Sequence, residues 1–96
     1  MIYRIAYHKL VERDLAKLSK QERDKILAAV ERKLQERPDY FGKPLHKELK
    51  GHYRLRVDFY RVIYRIEKER VTVFVIHIGL RKDSAAYREA QQRLLF

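Results

Sequence analysis

Tyr53-Arg54-Leu55-Arg56-Val57-Asp58-Phe59-Tyr60-Arg61-Val62-Ile63-Tyr64-Arg65-Ile66 is the stretch that decides the fold. Its aromatic and β-branched residues suit a pleated, half-buried backbone. Side chains alternate between the two faces of a strand, so Tyr53, Leu55 and Val57 share one face, with Arg54 and Arg56 on the other. On the next run Tyr60, Val62, Tyr64 and Ile66 oppose Arg61, Ile63 and Arg65. Only Asp58 and Phe59 separate the two runs, which predicts a two-residue hairpin. The apolar face needs a cover, and Arg54, Arg56, Arg61 and Arg65 are then expected together on the uncovered surface.

The flanking sequence supplies the cover. Glu67 to Arg70 connects to a third strand over Val71 to Ile78, which Gly79 is expected to end. Residues 38–52, with two prolines and two glycines, read as a loop holding one helical turn near Leu45 to Leu49. Leu10, Val11, Leu15 and Leu18 fall at helical spacing within His8 to Leu18. Ser19 followed three residues later by Glu22 is a capping-box signature. It opens a second helix whose stripe is Ile26, Leu27, Val30 and Leu34, expected to run to about Arg37, before Pro38. Ile2 to Tyr7 reads as a first strand, and Ser84 is positioned to cap a last helix over Ala85 to Leu94. The order β-α-α-β-β-β-α predicts an α+β fold. It is a small curled antiparallel sheet with two helices packed on one face and a short C-terminal helix. Residues 1–96 make a single domain.

Composition narrows the function. The chain carries 23 Lys+Arg against 13 Asp+Glu, net +10, and the surplus lies mainly in residues 43–96. A polyanion is the expected partner. Four arginines crowded on adjacent strands repel one another, and an anion would relieve them through the guanidinium fork that fits phosphate oxygens. The competing reading is a solvated face on which the arginines pair with Glu48, Asp58, Glu67 or Glu69. The absence of cysteine excludes disulfides, a thiolate nucleophile and a zinc–cysteine site. No run reaches the roughly 18 apolar residues of a membrane helix. Met1-Ile2-Tyr3-Arg4 begins a strand rather than a signal peptide, so the expected location is cytoplasmic.

Leu49-Lys50-Gly51-His52 followed by Tyr53 to Ile66 resembles the central signature of the RelE/ParE toxin superfamily. That signature is leucine, a basic residue and glycine, a tyrosine-led basic strand, then Tyr-Arg-hydrophobic-hydrophobic-Tyr. The element order is similar over nearly the whole chain. Gly79-Leu80-Arg81-Lys82-Asp83-Ser84-Ala85-Ala86-Tyr87-Arg88 resembles the RelE branch, in which an arginine just after the last strand is followed six residues later by a tyrosine. The ParE branch, whose members act on DNA gyrase, generally lacks that pair. The resemblance implies a toxin of a type II toxin–antitoxin system that cuts messenger RNA in the ribosomal A site. A cognate antitoxin would neutralise it by wrapping the same surface. It further implies catalytic roles for Arg54, Arg56, Arg61, Arg81 and Tyr87, with Lys47, Lys50, Arg65 and Lys82 holding the RNA. The implied partners are the antitoxin and the ribosome carrying mRNA in its A site. No membrane, metal or cofactor is implied, and DNA is reached only through the toxin–antitoxin complex. Two features depart from the pattern: positions 54 and 56 are often lysine in ribosome-dependent enzymes, and the Asp58-Phe59 turn lacks the glycine common there.

RNA contains its own nucleophile, the 2′-hydroxyl. Cleavage therefore needs in-line placement, removal of one proton, stabilisation of a crowded phosphorane and protonation of the leaving 5′-oxygen. Arg61 and Arg81 are assigned the electrostatic task, and Arg54 and Arg56 orient the phosphate, since arginine is too basic to accept a proton. Tyr87 is expected to stack and orient, with deprotonation of the 2′-hydroxyl as the alternative. His52 and His77 are weighed as substitute acid or base against packing residues; His8 and His46 look incidental. Tyr60 and Tyr64 are expected in the core, while Leu94, Leu95 and Phe96 either pack or await the antitoxin. The alternatives to an endoribonuclease are a gyrase inhibitor without nuclease activity and a non-toxic basic RNA-binding module.

Overall fold

The structure, a computed structural model, describes residues 2–82 and 85–95. The chain runs β1 (Arg4–Tyr7), α1 (Val11–Ala16), α2 (Lys20–Leu34), α3 (Pro38–Phe41), β2 (Lys43–Pro44), β3 (His52–Val57), β4 (Tyr60–Glu67), β5 (Thr72–Leu80) and α4 (Ala85–Arg93). Short 3₁₀ turns lie at Lys47–Leu49 and Lys68–Arg70. The five strands form one sheet in the order β1-β5-β4-β3-β2. This is the expected α+β layout, with one refinement. From β2 to β5 the pairings are antiparallel, but β1 joins β5 in parallel. Helices and hairpin intervene between β1 and β5, which gives the long crossover that a parallel pair requires.

The helical cover forms for the reasons its sequence suggests. Ser19 Oγ accepts the Glu22 N–H at 3.1 Å while Glu22 Oε1 accepts the Ser19 N–H at 3.2 Å, which closes the capping box. Val11, Ile26, Val30 and Leu34 then pack on Leu55, Val57, Val62, Tyr64, Val73, Val75 and Ile78. Each fully buried aliphatic side chain here contributes about 1.5–3 kcal/mol, so this face fixes the strand register. Tyr64 is inside as expected, its hydroxyl donating to the Pro38 carbonyl at 2.6 Å. Tyr60 lies at the margin, its hydroxyl donating to Glu22 Oε2 at 2.6 Å. That bond, with those from Ser19, holds the Glu22 carboxyl below its ordinary range.

Several boundaries differ from the expectation. The first helix spans only Val11–Ala16, because His8 is used to turn the chain off β1. Its N–H donates to the Val75 carbonyl at 2.8 Å, and its Nδ1 accepts the Leu10 N–H at 3.1 Å. His8 is thus a buried structural residue rather than an incidental one. The second helix ends at Leu34, and Pro38 opens α3 at a position that needs no N–H. Gly79 does not end the last strand but pairs with Arg61 inside it. A Cβ there would lie 2.7 Å from the His77 ring, so only glycine leaves that ring its place. The Ser84 cap falls outside the described residues.

The other face of the sheet is not wholly open. Leu49, Ile63 and Ile76 form a second buried cluster with Ala90 of α4, flanked by Leu45, Phe74, Tyr87 and Leu94. Leu95 is left exposed. Ile63 lies on the same face as the arginines, and a residue this apolar draws a cover over its part of the sheet. The β4–β5 pairing shifts register between Ile63 and Tyr64, leaving Ile76 as the extra residue of a bulge. Ile76 and His77 then both serve the second face, and Ile78 returns to the first.

Beyond the end of β1, the outer edge of β5 would present unpaired main-chain groups. A buried ion pair satisfies them. Arg93 Nη1 and Nη2 donate to Asp14 Oδ2 and Oδ1 at 2.6 and 2.8 Å, Arg93 Nη1 also donates to the Ile76 carbonyl at 2.9 Å, and Asp14 Oδ2 accepts the Ile78 N–H at 3.0 Å. This pair joins α1, β5 and α4. Replacing Arg93 by alanine strands a buried carboxylate and should cost about 3–5 kcal/mol. Urea unfolding measures it, and a loss below about 1 kcal/mol would contradict the assignment.

Candidate nucleic-acid interface

The β3–β4 register sets Arg56 directly opposite Arg61, and β4–β5 sets Arg61 opposite Gly79, two residues before Arg81. Arg61 is 8% exposed. Its Nη2 donates to the Arg81 carbonyl, and its guanidinium lies face-on to Tyr87, 4.4 Å from the ring centroid. Burial lowers the basicity of Arg61; Tyr87 opposes this, while Arg54, Arg56 and Arg81 push the same way as burial. Arginines from β3, β4 and the residue after β5 therefore share one field. Arg61 Nε is buried without a hydrogen-bond partner among the described residues.

Arg81 secures the neighbouring hairpin. Its N–H donates to the Phe59 carbonyl at 2.8 Å and its Nη1 to the Asp58 carbonyl at 2.9 Å. Asp58 takes the left-handed conformation, φ 53°, that the missing glycine would have supplied, and aspartate tolerates it better than most residues. Its carboxylate pairs with Lys25. An open cleft of about 540 Å³ results, lined by Arg56, Phe59, Tyr60, Arg61, Leu80, Arg81 and Lys82. Among the described residues, Arg54, Arg56, Arg61 and Arg81 have no carboxylate within salt-bridge distance.

The remaining candidates are placed as follows. Arg65 shares the arginine face, but its Nε pairs with Glu67 at 2.9 Å and its guanidinium lies over Phe74. It is roughly 13 Å along the strand from Arg61. For Arg65 alone, the solvated-pair reading describes what is found. Lys82 lines the cleft, whereas Lys47 borders a second hollow beside Tyr87. Lys50 is exposed next to Gly51, whose φ of 93° turns the chain into β3. His52 lies opposite Arg65, and burial lowers its pKa. His77 is nearly buried with Nε2 2.7 Å from Glu89 Oε2, and it lines a different hollow from the arginine cleft. Both histidines are built into the fold rather than aimed into the cleft.

The family model described as the ParE toxin of the type II toxin–antitoxin system, parDE, matches residues 5–85. Toxin RelG of Mycobacterium tuberculosis is 37% identical over 86% of this chain and 95% of its own length. The chain is a member of the RelE/ParE toxin family. The mRNA interferase toxin RelE of Escherichia coli is 45% identical to this toxin over a shorter stretch, 44% of each chain. A chain in the crystal structure of the toxin–antitoxin complex RelBE2 from Mycobacterium tuberculosis superposes with a TM-score of 0.80 at 31% identity. It covers 86% of this toxin and 95% of that chain.

Two features of this family member escaped the strand-parity argument. Tyr87 is half-buried against the second cluster with its ring engaged by Arg61, and Phe59 stands free at the hairpin tip. A turn residue with no neighbour at helical or strand spacing gives no periodic signal. Like charges gathered without counterions should respond to small anions. Sulfate at ten times its dissociation constant should add about 1.4 kcal/mol to stability, several degrees in Tm, beyond chloride at equal ionic strength. Arg61→Gln should remove the difference, and equal shifts with both salts in the unaltered protein would contradict a cation cluster open to a ligand.

Proposed function

We propose that this toxin is an endoribonuclease that cuts messenger RNA on the ribosome by attack of the 2′-hydroxyl on the adjacent phosphate, without a metal. The observation that carries the reading is the cluster of guanidiniums from β3, β4 and the residue after β5, without a carboxylate partner among the described residues and including a desolvated Arg61. The name mRNA interferase carried by the Escherichia coli relative supports it. The fold-level likeness to a chain of a toxin–antitoxin complex supports a cognate antitoxin as the partner that holds the toxin in check. Such an activity would lie in the cytoplasm, where transcripts are translated.

In this mechanism the 2′-oxygen bonds to phosphorus as the bond to the 5′-oxygen breaks. Tyr87 or water takes the 2′-hydroxyl proton, water protonates the leaving 5′-oxygen, and Arg61 and Arg81 receive the charge that develops on the phosphorane oxygens. Arg61 is already fixed by Tyr87 and the Arg81 carbonyl, so little reorganisation accompanies the reaction. Arg54 and Arg56 seat the phosphate. Tyr87 lies against the Arg61 guanidinium and borders the hollow beside Lys47. The ribosome supplies the substrate geometry that so small a chain cannot impose by itself.

Primer extension on a translated message, with and without ribosomes, tests the proposal. Cleavage should require ribosomes and leave 2′,3′-cyclic phosphate and 5′-hydroxyl ends; 3′-hydroxyl ends would refute the mechanism. Arg81→Ala should reduce the rate about 10²–10³-fold, the usual effect of losing one transition-state cation or donor. The ParE description of the family model favours a second reading, inhibition of DNA gyrase without nuclease activity. That reading is selected if expression induces the DNA-damage response and messages remain intact.

A further inference from the structure

Phe59 is 78% exposed, more than any other aromatic side chain described. The backbone that carries it is nonetheless fixed. Its carbonyl accepts the Arg81 N–H, the preceding carbonyl accepts Arg81 Nη1, and the left-handed Asp58 sets the turn. The ring borders the arginine cleft, with Leu80, itself 42% exposed, lining the same cleft. A large apolar ring held in water at the mouth of a cationic cleft does nothing for packing. Tyr87 cannot serve the same purpose from one of its faces, because the Arg61 guanidinium lies over it and its edge packs against the second cluster.

We propose that Phe59 is the stacking platform for an unpaired base of the RNA whose phosphates the arginines hold, with Leu80 as the apolar wall nearby. The proposal rests on the RNA reading above and adds the contact that takes up a base. Charge complementarity selects this occupant: an apolar surface bordered by Arg56, Arg61, Arg81 and Lys82 suits a ligand that pairs an apolar π-face with an adjacent anion. A nucleotide is such a ligand, and aromatic stacking accepts every base.

The test compares two uncleavable probes at low ionic strength, where the basic surface alone retains an oligonucleotide. One is a 2′-O-methyl hexanucleotide; the other has the same backbone without bases. Phe59→Ala should weaken the first roughly 5- to 150-fold, the usual range for one stacked base, and leave the second unchanged. Phe59→Trp should restore binding, and since the chain has no tryptophan its emission should be quenched by the base-bearing probe alone. The double variant Arg54→Gln, Arg56→Gln should weaken both probes. If it does so while Phe59→Ala changes neither probe, or changes both equally, the platform is overturned and the RNA reading stands. If neither probe binds the unaltered toxin, or the double variant binds both undiminished, both ideas fail.

Discussion

The Arg61 guanidinium is buried, stacked on Tyr87 and bonded to the Arg81 carbonyl, and like charges surround it. Desolvation, repulsion and an unsatisfied Nε–H each disfavour such a group in the empty protein. It stays in place because the remainder of the fold holds it there. The β3–β4 register sets Arg56 across from it, Arg81 is tied to the hairpin turn, and α4 brings Tyr87 over its face. A bound phosphodiester group offers the missing negative charge. The proposed chemistry needs nothing else of Arg61 beyond being held still.

Holding α4 is the task of the Asp14–Arg93 pair and the second apolar cluster. The pair sits where β1 stops and β5 continues, so the group that seals the sheet edge also fixes the helix that carries Tyr87. The bulge at Ile76 belongs to the same device, turning Ile76 toward α4 and offering its carbonyl to Arg93. Sheet repair and site assembly thus share one set of contacts. That arrangement links the stability of the carboxy-terminal helix to the geometry of the cleft some distance away.

Much of this was legible in the sequence because its causes are local or periodic. Alternation along Tyr53 to Ile66 gave the hairpin, its two faces and the gathering of Arg54, Arg56 and Arg61, and the Ser19–Glu22 box gave the start of α2. What resisted reading depends on distant partners. Gly79 looked like a strand terminus, yet it is kept in the strand by the His77 ring that occupies its Cβ space. Arg65 had the same parity as Arg61 and found Glu67 and Phe74 instead of the cluster. The parallel β1 edge, the Asp14–Arg93 pair and the partial closure of the arginine face all join residues far apart in the chain. Ile63, an aliphatic residue between two arginines on one face, was the available sign that a cover was coming.

The side-chain Nε–Hε signals of the arginines, followed by nitrogen-15 NMR as a dinucleotide phosphodiester with a methylated 2′-oxygen is added, report most directly on the electrostatic cluster. Arg61 should give a slowly exchanging signal in the free toxin and shift most and earliest, together with Arg81, Arg54 and Arg56, while Arg65 and Arg93 stay fixed in their ion pairs. Small shifts spread evenly over all arginines, with Arg61 no different from those on α2, would contradict a single preformed phosphate site.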